Sequence, residues 1–106
     1  MIQAKFLTDK HGLKGFCVSG HAGYADAGED IVCASVTSAV QLTANTITEI
    51  FGVAAEIKVL ENVIECKLPR DASPEAHKLL EGLKLHLEIL AEDYEGTIDV
   101  KVLEVF

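Results

Sequence analysis

Residues 31–51 read IVCASVTSAVQLTANTITEIF, preceded by Asp30 and followed by Gly52. Val36, Val40, Ile47 and Ile50 are interleaved with Ala34, Ala39, Ala44, Ser35, Thr37, Ser38 and Thr43, and no charge occurs between Asp30 and Glu49. The stretch predicts a helix over 31–51, with Asp30 as its cap and Gly52 as its stop. A helix that is uncharged and small-residued all round is expected to be buried, packed closely on a sheet or a second helix. The rest of the chain must supply that second layer.

Reading outward, residues 2–8 alternate, with Ile2, Ala4 and Phe6 on one face and Gln3 and Lys5 on the other. That is the period of a half-buried strand. Residues 9–12 carry turn chemistry, and 13–19 read as the hairpin partner. Gly20, Gly23 and Gly28 then punctuate a loop of about ten residues, and loops of that length in compact domains are often functional. Downstream, 56–60 and 63–68 form a second hairpin across Glu61 and Asn62. Ser73, Pro74 and Glu75 are a helix start. Leu79, Leu80, Leu83, Leu87, Leu90 and Tyr94 recur at helical spacing, so 74–95 predicts an amphipathic helix ending at Gly96. Residues 97–105 read as a last strand. The order ββαββαβ implies one α+β domain over 1–106, with a mixed or antiparallel sheet and two helices.

At 106 residues and half apolar, the chain can bury a modest core. Its net charge of −8, with a single arginine at Arg70, argues against nucleic acid as a direct ligand. An acidic surface suits a basic protein partner, or solubility alone. The N-terminus lacks the apolar run of a secretory signal, and no stretch is read as approaching the ~18 apolar residues of a membrane span. Three irregularly spaced cysteines make no disulfide framework, so the chain is expected to be cytoplasmic with reduced thiols.

The chemistry concentrates in Gly20-His21-Ala22 and, twelve residues after the histidine, Cys33 at the start of the apolar helix. A thiol attacks as thiolate, which a helix N-terminus and a nearby imidazolium both stabilise. Cys33 is expected near the third helical residue. On these grounds alone it reads equally as a nucleophile and as a core thiol. His21 would serve as general base and acid. Asp30 would either orient the imidazole or simply cap the helix, with Asp26 and Glu29 as weaker orienting candidates. Free N–H groups of the first turn, that of Cys33 included, could hold an oxyanion. Cys17 and Cys66 lie in strand patterns and read as core thiols. His11 falls in a turn, and His77 and His86 are expected on the exposed side of the second helix. A zinc site from Cys17, His21 and Cys33 competes for the same atoms, but no fourth ligand or paired-cysteine spacing accompanies it.

Gly-His-Ala, a glycine- and acid-rich loop, and Asp30-Ile31-Val32-Cys33-Ala34 together resemble the bacterial ribosomal-processing cysteine proteases. The resemblance extends through the order of elements and the length. It implies that Cys33 and His21 are the catalytic pair, with Asp30 at the family's aspartate. The family usually carries a serine four residues after the cysteine. Here that position is Thr37, with Ser38 adjacent. The implied function is removal of the N-terminal extension of protein twenty-seven of the large ribosomal subunit, by a homodimer without metal or cofactor. A non-catalytic, ribosome-associated interaction module with an incidental thiol is the alternative.

Overall fold

The structure, a computed structural model, describes residues 1–20 and 27–105, the side chains of 27–30 excepted. Its elements follow the expected order: β1 (Ile2–Asp9), β2 (Gly12–Ser19), α1 (Ala27–Asn45) continued by a π-helical turn (Thr46–Ile50), β3 (Glu56–Leu60), β4 (Val63–Lys67), α2 (Pro74–Asp93) and β5 (Ile98–Glu104). The strands form one mixed sheet in the order β3-β4-β2-β1-β5. β5 runs parallel to β1, and the other pairs are antiparallel. This is the α+β architecture that the order of elements implied.

β1 buries Ile2, Ala4 and Phe6 as its alternation predicts. Phe6 pairs in register with Phe16 of β2, their ring centroids 6.3 Å apart and tilted by 51°. Such a tilted pair adds to the area it buries. Val32, Val36, Val40 and Ile47 of the α1 segment join the same core cluster, as do Leu80, Leu83 and Leu87 of α2. Both helices therefore cover the Phe6–Phe16 face, and the opposite face of the sheet carries the polar residues of the alternation.

β2 departs from simple alternation. Leu13, Phe16 and Val18 are all buried although Leu13 is out of phase with the other two. The register passes from Leu7↔Gly15 to Thr8↔Leu13, which leaves Lys14 as the extra residue of a β-bulge. The bulge turns Leu13 into the core. Its two carbonyls are both satisfied: Lys14 O accepts from the Leu68 N–H at 2.8 Å, and Leu13 O accepts from His77 Nδ1 at 2.7 Å. His77 is thus half-buried and tied to β2 instead of lying on the exposed side of α2, whereas His86 is exposed as expected.

α1 corrects three expectations. It starts at Ala27, so Asp30 lies in its first turn and is not its cap. Alanine favours helix, and Gly28 costs it only about 1 kcal/mol. The helix is also buried on one side only. Val32, Val36, Val40, Ala44 and Ile47 are buried, but Ile31 is 55% exposed, Leu42 69% and Ile50 76%. The cause is the two-layer arrangement: a sheet with one covered face offers a helix one side to bury. Third, Ile31–Ile50 is long and apolar enough by composition for a membrane span, at a mean hydropathy of 1.2. Its valine stripe belongs to the core cluster, and about a third of the segment is buried. Threonine hydroxyls in this segment bond back to the preceding turn, Thr43 to Ala39 O at 2.8 Å and Thr46 to Leu42 O at 2.7 Å. Polar side chains are thereby accommodated in an uncharged helix.

Gly15 lies where two strands leave no room for a side chain. A Cβ there would stand 2.4 Å from the Cys66 carbonyl oxygen. Gly82, within α2, has nothing within 4 Å of the same position. Gly15→Ala should therefore destabilise the protein by about 1–3 kcal/mol. Gly82→Ala should stabilise it by about 1 kcal/mol through helix propensity. Denaturant midpoints of the two variants check this, and shifts of the same sign would refute it.

Candidate active site

The full burial of Val32 fixes how α1 is rotated, and so where its neighbours point. Successive helical residues are about 100° apart, which carries Cys33 from the core to the rim. Cys33 is half-buried, packed against the core cluster and not in a disulfide. Thr37, one turn on, shares its side of the helix and is exposed. The Thr37 hydroxyl makes no hydrogen bond among the described residues, unlike those of Thr43, Thr46 and Thr48. Ser38 is exposed too, but it is turned about 140° from Cys33, so it does not share that side.

With α1 starting at Ala27, Cys33 falls in the second turn, not near the third residue. Among the described residues, the amides without a helical partner are those of 27–29. The N–H of Cys33 is therefore not among the free donors expected for an oxyanion, and Cys33 lies beyond the first turn, where the helix dipole acts most strongly.

Gly20 closes β2 and is held from two sides. Its N–H donates to Asn62 O at 2.9 Å, in the turn between β3 and β4. Its φ of +78° favours glycine, and an added Cβ would stand 3.0 Å from Met1 O. Asn62 itself has a φ of 61°, a conformation asparagine tolerates. Residue 21 thus follows directly on a backbone that is hydrogen-bonded to the second hairpin and lies close to the Met1 carbonyl. Sequence reasoning assigned Asn62 only to a turn; its part in anchoring Gly20 is a tertiary contact. His21, Gly23 and Asp26 lie outside the described residues, as do the side chains of Glu29 and Asp30, while Gly28 belongs to the first turn of α1.

The other two thiols are differently placed. Cys66 is fully buried on the helix-covered face, and burial pushes its thiol up to about 11. Cys17 has the opposite parity to Phe16 and Val18, so it lies on the other face of the sheet. There its Sγ donates to Glu65 Oε1 at 3.7 Å, and burial first, then the Glu65 carboxylate, raises its pKa. The sheet therefore separates Cys17 from α1, which removes the zinc arrangement of Cys17, His21 and Cys33. Among the described residues no group of three His, Cys, Asp or Glu side chains is placed to hold a metal.

Residues 1–99 match the family described as cysteine protease Prp. The chain is 31% identical to the ribosomal processing cysteine protease Prp of Bacillus subtilis (strain 168), over 94% of this chain and 96% of that protein. Its fold superposes on SMU.848 from Streptococcus mutans with a TM-score of 0.83 at 25% identity, covering 99% of this chain and 96% of that one. It also superposes on the essential ribosomal processing protease Prp from S. aureus in complex with a covalently linked product peptide. There the TM-score is 0.87 at 20% identity, covering 97% of this chain and all of that one.

Iodoacetamide at neutral pH should label Cys33 well before Cys17, and Cys66 last, as followed by peptide mass spectrometry. Fast labelling of Cys66 would contradict its burial. The neutral Cys66 thiol also contributes stability that is complete below its ordinary value of 9.0 and lost as the pH rises through about 11. A Cys66→Ala variant should lack that part of the alkaline loss.

Proposed function

The chain belongs to the Prp family of cysteine proteases, and from that premise we propose that Cys33 is its nucleophile and His21 its general base and acid. The observation that carries this is the placement of Cys33. It is the one cysteine that α1 brings to the rim of the core, beside an open hydroxyl at Thr37 and in the helix that follows the anchored Gly20. Because Cys33 lies beyond the first helical turn, activation of the thiol falls mainly to the imidazole. His21 takes the thiol proton as sulfur attacks the scissile carbonyl, and gives it to the amine as the C–N bond breaks. A water molecule, deprotonated by the same imidazole, then attacks the thioester and releases the carboxylate and the thiol.

The segment bearing Gly20, Gly23 and Gly28 is assigned to holding an extended peptide over Cys33, Thr37 to a supporting hydrogen bond in place of the family's serine, and Asp30 to orienting His21. The substrate proposed is the basic precursor of protein twenty-seven of the large ribosomal subunit, cut at its N-terminal extension in the cytoplasm. The net charge of −8 is complementary to such a partner. A structure of the S. aureus Prp with a substrate peptide supports peptide binding on this fold.

Cys33→Ala should abolish cleavage of the precursor without unfolding the protein, and His21→Ala should lower kcat by several orders of magnitude. Combined, the two should be hardly worse than either alone, since the residues act as a unit. Cleavage by Cys33→Ala at the wild-type rate would end the protease assignment, and additive losses would move His21 to an independent role.

The exposed apolar side of α1 supports pairing of two copies. Ile31 and Leu42 occupy one flank, almost opposite Cys33 around the helix, so a partner there leaves the thiol open. The double variant Ile31→Asp and Leu42→Asp should run as a monomer in sedimentation experiments while the wild type runs as a dimer. An unchanged sedimentation coefficient would rule out this interface.

A further inference from the structure

At the end of the sheet opposite Gly20, about 25 Å away along the strands, a cavity of about 760 Å³ opens between the β1–β2 hairpin, the end of β4, the first turn of α2 and the end of β5. Its lining reverses the charge of the molecule. The chain has 17 acidic and 9 basic residues, yet Lys10, Lys14 and Arg70 line this cavity together with His11 and His77, against the carboxylates of Asp9 and Glu104. Asp9 is already engaged: its Oδ1 accepts the His11 backbone N–H at 2.8 Å, and its Oδ2 stands 4.0 Å from Lys14 Nζ. Arg70, the one arginine of the chain, and Lys10 make no ion pair among the described residues. His77 spends Nδ1 on the bulge carbonyl of Leu13, so its other nitrogen, Nε2, remains for the cavity.

These groups meet here because of the fold. The bulge that turns Leu13 inward projects Lys14 as the extra residue, and the Leu68 N–H that satisfies the bulge draws Pro69 and Arg70 alongside it. α2 begins just beyond Arg70 and brings His77 to the cavity wall. Uncommitted cationic donors around an open cavity, with a planar guanidinium among them, suit an oxyanion held by two or more charge-assisted hydrogen bonds. A long polyanion would meet the repulsion of the acidic remainder of the surface, whereas a compact anion meets only the cavity. We propose that this cavity binds a small phosphate-bearing ligand, at a site separate from Cys33 and independent of the protease assignment.

The test is calorimetric titration of the full chain with inorganic phosphate and with AMP, repeated on Arg70→Gln and Lys14→Gln and, as a control, on Cys33→Ala. Saturable binding of either probe is expected, weakened about tenfold or more by Arg70→Gln, less by Lys14→Gln, and unchanged by Cys33→Ala. AMP binding more tightly than phosphate would assign the cavity to an organic phosphate, and equal binding to the phosphate group alone. Both glutamine variants should keep the wild-type unfolding midpoint and precursor cleavage. No saturable binding of either probe, or binding indifferent to both substitutions, overturns the proposal. So does tighter, steeply salt-dependent binding of a single-stranded RNA oligomer, which would make the surface a nucleic-acid interface.

Discussion

Burial of the Val32–Val36–Val40 stripe in the core that Phe6, Phe16 and the leucines of α2 share is the contact on which the rest depends. It locks the rotation of α1 about its own axis. Once Val32 faces inward, Cys33 must lie at the rim, Thr37 must share its side, and Ile31 and Leu42 must face the other way. The thiol, its hydroxyl neighbour and the apolar flank are thus consequences of one packing decision. A rotation of one residue would bury the thiol and expose a valine.

The sheet organises the remaining chemistry by its two faces and its two ends. Alternation sends Cys66 into the core and Cys17 to the opposite face, which leaves Cys33 as the thiol that α1 holds at the rim of the core. At one end, Gly20 is hydrogen-bonded to Asn62 beside the Met1 carbonyl, so the segment leading to α1 departs from an anchored point. At the other end, the Lys14 bulge gathers the basic residues of three elements around a cavity. The acidic surface and the basic cavity therefore coexist on a small domain without cancelling, because the strands hold them apart.

The helix that decides the fold also shows where a reading of residues stops. Absence of charge over 31–48 predicts a buried helix, whereas the two-layer packing buries one side and leaves Leu42 and Ile50 exposed. Composition records what a helix can tolerate, and the number of layers decides what it buries. The same limit applies to Leu13 and His77. Their roles come from a one-residue bulge, which the out-of-phase apolar residues at 13, 16 and 18 signalled only indirectly.

The sequence alone determined the element order, the alternating β1, the amphipathic α2 and the two hairpins, because each of these is written in local spacing and turn chemistry, while the candidate thiol and imidazole are singled out by the family resemblance. Tertiary structure decided the strand order β3-β4-β2-β1-β5, the parallel pairing of β5 with β1, the bulge at Lys14 and the second-turn position of Cys33. Those features depend on contacts between residues distant in the chain, such as Gly20 with Asn62 and His77 with Leu13. No local period encodes such contacts, since their free energy exists only once the sheet and helices have packed.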